Sequence, residues 1–219
     1  MSDTLSLLRQ LCDTLGVSGY EDDVRTIVEE RVHPLADEVR TDALGNLIAI
    51  RRSSRANAPT LLIDAHLDEI GLVISYIEPN GFLRFATVGG WDERVIPAHA
   101  VDVRTADGRL YRGVIGVPPP HIQKGDEKNK PYAVEAMFID VGARNREEVE
   151  ALGIRVGDSA APHYPLRELA NGAVVGKALD NRAGVTVLVR LLETLFGGPE
   201  PADLPVTVAA VFSTFEETG

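Results

Sequence analysis

Hydrophobic and polar positions along this chain fall into two textures. Leu5, Leu8, Cys12 and Leu15 recur at helical spacing over residues 3–15, with Asp3 placed to cap the start and Gly16 to stop the run. The stretch GYEDDVRTIVEERVHPLA repeats that spacing with Val24, Ile27, Val28 and Val32, and its acids sit in the first turn, where they suit the helix dipole. Strand-like pieces follow: DEVRTD, a turn at ALGN, LIAIRR, and TLLIDAH. TLLIDAH (60–66) is short, continuous and apolar, which predicts a central buried strand.

From about Gly71 the period changes to two. LVISYIEPNGFLRFATVGG, AVDVRTADGRLYRGVIG and YAVEAMFIDV are short alternating runs broken by PNG, ADG and VPPPH. This pattern predicts a small β-barrel or sandwich. NREEVEALG reads as a short acidic helix, and VGDSAAPHYPL as turn and strand. After NGAVVGKALD the first texture returns. Val185, Leu188, Val189, Leu192 and Phe196 predict a helix over 181–196; the loop GGPEPAD leads to a buried strand over 205–213. An all-β segment thus interrupts an α/β segment.

Composition narrows the function. Apolar residues make up 44% and charged residues 25% of the 219, the values of a globular domain with room for a full core. The net charge of −11 argues against a nucleic-acid or anionic-membrane surface, since both need positive charge. The one cysteine, Cys12, excludes a disulfide within the chain and a cysteine-based zinc site. MSDTLSLLRQ has no basic start followed by an apolar signal core, and no apolar run reaches membrane-spanning length. A cytoplasmic protein is the simplest expectation.

Three strand or helix junctions carry the candidate chemistry. His66 and Asp68 end TLLIDAH two residues apart, so alternation lets both face one way. Open α/β sheets bind ligands at the carboxyl ends of their strands. A carboxylate beside a ligating imidazole fixes its tautomer and orientation; the plainer alternative is a structural histidine. Asp180 stands where a helix begins, and a helix N-cap accounts for it equally. Glu216 and Glu217 follow the last buried strand. Continued as a strand they would point to opposite faces; a bend would bring both to one site, and a solvated strand end is the alternative. Carboxylate oxygen together with imidazole nitrogen suits divalent cations. One carboxylate shared by two cations would give a two-metal hydrolytic site, and a carboxylate that is not a ligand could take a proton from the attacking water. A glycosidase fits poorly, because its two carboxyls stand roughly 5–9.5 Å apart across a sugar bond and Glu216 and Glu217 are neighbours.

AHLDEIG (65–71), GGWDERV (89–95), GVIGVPPPH (113–121), FIDVGA (138–143), GKALDNRAG (176–184) and EETG (216–219), with GVSGYE near the start, occur in one order along the chain. Together they resemble the glutamyl/tetrahedral (deblocking) aminopeptidases, cocatalytic two-metal peptidases some of which were once mislabelled endoglucanases. The resemblance implies an α/β fold: a three-layer α/β/α phosphorylase/hydrolase-like catalytic domain interrupted by a PDZ-like β-barrel. On that expectation residues 1–71 and 169–219 form the catalytic domain and 72–168 an inserted oligomerisation domain.

The resemblance also implies roles. His66 ligates one metal and Asp68 orients it; Asp180 bridges two metals; Glu216 is the general base; Glu217 ligates the second metal. The cofactors would be two divalent ions per subunit, zinc or cobalt. The reaction would remove N-terminal residues from peptides, in a homo-oligomer ranging from dimer to dodecamer. A related two-metal amidohydrolase or carboxypeptidase-like enzyme, or a non-catalytic truncated chain that only assembles, are the alternatives. The family's pattern continues beyond E-E-x-G to a further acidic ligand and a late histidine. Neither occurs here, and His33, His99, His121 and His163 are poor replacements. Each metal would lack a third protein ligand. The chain therefore reads as C-terminally truncated, a fragment or the product of a shortened gene, inactive as it stands.

Overall fold

A computed structural model describes residues 3–119 and 131–219. Pro120 and His121 of GVIGVPPPH lie outside the described residues. The chain divides into two compact units, residues 1–69 with 165–217, and residues 70–164.

The first unit is α/β. Helices α1 (Asp3–Asp13) and α2 (Asp22–Val32) precede strands β1 (Glu38–Thr41), β2 (Leu47–Arg51) and β3 (Thr60–His66). Helix α4 (Leu179–Phe196) and strand β12 (Thr207–Ser213) return to it late in the chain. The sheet order is β1-β2-β12-β3. Strand β12 runs antiparallel to β2 and parallel to β3, with Ser213 opposite His66. Helix α4 packs on β3, and α1 and α2 pack on α4. The shared core includes Leu7, Leu11, Val28, Val185, Val189 and Phe212. Each such side chain, fully buried, contributes roughly 1.5–3 kcal/mol.

Two details differ from the sequence pattern. In α1 the buried stripe centres on Leu7, Leu11 and Cys12, and Leu5 and Leu8 lie at its margins, half-buried. The turn of about 100° per residue allows either centring of an apolar stripe, and packing decides between them. Strand β3 was expected in the middle of the sheet. It lies at the edge, paired only with β12 among the described residues, so Leu61 and Leu62 are 48% and 62% exposed.

The second unit is a closed six-stranded barrel in the order β4-β5-β8-β7-β6-β9. Its strands are β4 (Gly71–Ile77), β5 (Leu83–Val88), β6 (Ala100–Arg104), β7 (Leu110–Gly116), β8 (Phe138–Asp140) and β9 (Ser159–Pro162). Closure removes the free strand edges that invite pairing with other chains. Alternation puts Leu72, Ile74, Leu83, Val101, Val103 and Ile139 inside. The β4–β5 connection turns at Gly81 with φ +88°, and a Cβ there would lie 2.6 Å from the Ala143 carbonyl oxygen, so only glycine fits. Helix α3 (Arg146–Leu152) is capped by the Asn145 side chain, which accepts from the Glu148 N–H at 2.9 Å, and ends at Gly153 with φ +86°. It buries Val149 in the barrel core. The remaining short pair, β10 (Arg167–Glu168) and β11 (Val174–Val175), belongs to the first unit. Among the described residues no helix is long and apolar enough to cross a membrane.

Candidate metal centre

The first unit gathers its chemistry where β3 and β12 end together. The β3–β12 ladder extends one step past the strands, with the Leu67 N–H donating to the Ser213 carbonyl at 2.7 Å. His66 and Asp68 therefore stand beside the residues that follow β12.

His66 is 6% exposed and Asp68 fully buried. Nδ1 of His66 lies 3.2 Å from the backbone carbonyl of Asp68 and 3.5 Å from its carboxylate Oδ1. A carbonyl can only accept, so Nδ1 donates to it; Nε2, which faces outward, also meets a carboxylate acceptor and there takes either a proton or a cation. Nε2 lies 3.1 Å from Asp180 Oδ1 and 3.8 Å from Glu216 Oε2.

Asp180 reaches that position because it does not cap its helix. It sits at the start of the α4 span with extended dihedrals, φ −85° and ψ 109°. The capping bond is made one residue later, where Asn181 Oδ1 accepts from the Gly184 N–H at 3.1 Å. The Asp180 side chain, 87% exposed, is thus left to face the imidazole.

The two glutamates are brought together by a bend. After Ser213 the chain passes through Phe215 in the left-handed region, φ 61°, into a single 3-10 turn, Glu216–Thr218. Side chains no longer alternate across a sheet there. One ligand atom each from His66, Glu216 and Glu217 lies within 4.8 Å of the others. Burial, with Asp180, Glu216 and Asp68 nearby, pushes the Glu217 carboxyl above its ordinary range, and His66 opposes the shift.

The donor set can be tested against a divalent cation. An imidazole nitrogen with its other nitrogen already bonded, and three carboxylates converging on it, are hard and borderline donors of the kind such cations take. Like charges crowded this closely repel one another, and a cation between them removes the repulsion. The residues fit. His33 lies at the end of α2, and His99 and His163 belong to the barrel unit, where His163 Nδ1 pairs with Asp102 Oδ2 at 2.8 Å.

Several neighbours carry no assignment from the sequence although they lie inside the quoted motifs. Glu69, 2% exposed, accepts from Lys177 Nζ at 2.6 Å and from the Gly16 N–H at 3.0 Å. Its own backbone pairs with the 16–18 loop on both sides, through Glu69 N–H to Gly16 O and Ser18 N–H to Glu69 O. Arg182 is fully buried and donates to the carbonyls of Leu11 and Gly16. Ser18 and Glu21 are buried as well. Their burial appears only in the fold, where such polar groups are retained because they are partnered.

The class these features define is an α/β domain interrupted in sequence by a six-stranded barrel, with an acid-and-histidine cluster of the kind divalent cations take at its strand ends. The family model described as M42 glutamyl aminopeptidase matches residues 45–219, and the chain belongs to that family. It is 38% identical over 215 residues to the putative aminopeptidase FrvX of Escherichia coli, covering 98% of this chain and 58% of FrvX. Among solved structures, the aminopeptidase APDkam598 from the archaeon Desulfurococcus kamchatkensis superposes with a TM-score of 0.89 at 41% identity, covering 99% of this chain and 57% of that one. The TET1 peptidase of Pyrococcus horikoshii, which can assemble into a tetrahedron or a large octahedral shell, superposes with a TM-score of 0.85 at 32% identity, covering 99% and 62%. The chain thus spans less than two thirds of the length of each of these relatives.

Proposed function

We propose that this chain carries the metal-binding part of an aminopeptidase that removes N-terminal residues from peptides. The observation that carries the reading is that His66, Glu216 and Glu217 offer ligand atoms within 4.8 Å of one another, with Asp180 3.1 Å from the same imidazole. His66 and Asp180 would hold one divalent ion, Asp180 and Glu217 a second, and zinc or cobalt suits the donors. When bound, such ions supply Lewis acidity and a water of lowered pKa.

The chain's own residues do the rest. His66 is oriented by the Nδ1 contact with the Asp68 carbonyl, so its outward nitrogen points where it could serve as a ligand. Glu216 is the general base. Its side chain is 60% exposed, so its carboxylate can reach an attacking water, while its backbone is anchored to Asp68. Asp68 positions both the imidazole and the glutamate turn. The barrel unit, residues 70–164, is assigned as a PDZ-like insertion that drives homo-oligomer formation. The assembly of the P. horikoshii relative into a tetrahedron or a large octahedral shell supports homo-oligomer formation as such.

Metal analysis of the purified chain after loading with zinc or cobalt, beside His66→Ala and Asp180→Ala, tests the centre. Retention that both substitutions leave untouched would refute it. Hydrolysis of reporters with a free amino terminus but not of N-blocked ones separates an aminopeptidase from an amidohydrolase or a carboxypeptidase-like enzyme. Excising residues 70–164 and measuring mass by light scattering tests the barrel's role; an unchanged assembly places the contact in the other unit.

A further inference from the structure

The GVSGYE stretch has no role in that reading, yet two of its side chains are buried against the glutamate turn. The Ser18 hydroxyl, on a residue 6% exposed, donates to Asp68 Oδ2 at 2.6 Å. The same carboxylate accepts the Glu216 N–H at Oδ1, 3.2 Å, and the Glu217 N–H at Oδ2, 3.0 Å. Three donors therefore fix one fully buried carboxylate. Two of them are the amides of the residues whose side chains form the acidic cluster. Glu21 steadies the approach to the turn, accepting from the Gly19 N–H at 2.8 Å and the Phe215 N–H at 3.4 Å.

We infer that Ser18 is a positioning residue: through Asp68, its hydroxyl fixes the backbone of Glu216 and Glu217 and hence the direction of both carboxylates. The inference rests on the metal reading above. The terminal torsion of an aspartate is broad and soft, so the carboxyl plane is set by its hydrogen bonds. A short hydroxyl-to-carboxylate bond is among the strong, direction-setting kind. Without it Asp68 can rotate, and both amide bonds lengthen together.

The experiment compares wild type, Ser18→Ala and Ser18→Thr in the 219-residue chain. One readout is hydrogen exchange at the Glu216 and Glu217 amides of metal-free protein. The other is the cobalt(II) dissociation constant and visible absorption spectrum. Removing a partner outside the ligand shell weakens metal binding about 10–100-fold, and Ser18 acts through one further bond, so Ser18→Ala is expected at the low end. It should also speed exchange at both amides and shift the cobalt bands, while the barrel amides keep their protection. Ser18→Thr should restore all of this. Unchanged exchange at Glu216 and Glu217 overturns the inference, as does unchanged cobalt affinity and spectrum. Failure of threonine to rescue rules out the hydroxyl as the cause. Protection lost equally across the whole first unit marks Ser18 as a packing residue and overturns it too. Amides that respond as expected in a chain whose wild type takes up no cobalt sink the metal reading, and the ligand-directing role falls with it.

Discussion

Nε2 of His66 lies 3.1 Å from Oδ1 of Asp180, across 114 residues of sequence. The barrel's residues lie between the two in the chain, yet both belong to the first unit. Their proximity is produced by α4 packing on β3, which sets the start of the helix beside the end of the strand. If the pair shares a cation, His66→Ala and Asp180→Asn should each weaken zinc binding by more than the roughly 10–100-fold typical of an outer-shell loss. The double variant should fall short of the sum, as residues of one unit do. Competition against a chelator of known affinity measures all three, and full additivity would separate the two residues.

Adjacent Glu216 and Glu217 are assigned different work. In a form of the enzyme that turns over, Glu216→Gln should leave metal content intact and lower kcat roughly 10²–10⁴-fold, the usual loss for acid–base catalysis. Glu217→Gln should release metal first and lose activity as a consequence. Metal analysis beside kinetics distinguishes the two, and equal metal loss in both variants refutes the division.

How much of this was legible in the sequence follows from what each signal depends on. The strand boundaries of β2 and β3, the turn at Gly81 and the helix at Asn145 were readable, because apolar period and turn chemistry are local. The edge position of β3 was not, because a continuous apolar run reports on the strand's two faces and not on which strands pair along its edges. At Asp180 the sequence left two readings open, cap or ligand, and the backbone removes the first by giving the cap to Asn181. Ser18, Glu21, Glu69 and Arg182 stayed silent because each acts on a residue far along the chain. Spacing within a motif carries no record of such a partner.

Cys12 offers a pH reporter. It is fully buried and free. Burial pushes its thiol up to about 11, partly opposed by Arg182 and Lys177. The thiolate is the reactive form. Native protein at pH 8 should therefore react with iodoacetamide only through opening of α1, and labelling should climb steadily toward pH 11. Urea-unfolded chain should label at pH 8 as an ordinary thiol does. Rapid native labelling at pH 8 would mean that α1 is detached from the core.

Arg182 is the most exacting test of the frame beneath the site. Its guanidinium is fully buried in α4, donating to the Leu11 carbonyl at 2.7 Å and the Gly16 carbonyl at 3.4 Å, with Glu69 Oε1 at 3.9 Å. Nε has no hydrogen-bond partner among the described residues. Burial lowers its pKa, and Glu69 is the first of the charges that oppose the shift. A Cβ on Gly16 would lie 2.7 Å from Nη2 and 2.8 Å from Val24 Cγ2, so the loop that carries Ser18 is packed against both side chains. Breaking a buried pair by removing one partner costs about 3–5 kcal/mol, whereas replacing both with apolar groups can be neutral. Arg182→Met should accordingly lose stability in that range by urea unfolding. Glu69→Gln alone should also be costly, because it leaves Lys177 and Arg182 without their shared carboxylate. The double variant should recover part of the loss, with a coupling of about 0.5–3 kcal/mol. Additive losses would mean that Arg182 acts only through the Leu11 and Gly16 carbonyls, and that Glu69 serves Lys177 and the Gly16 amide alone.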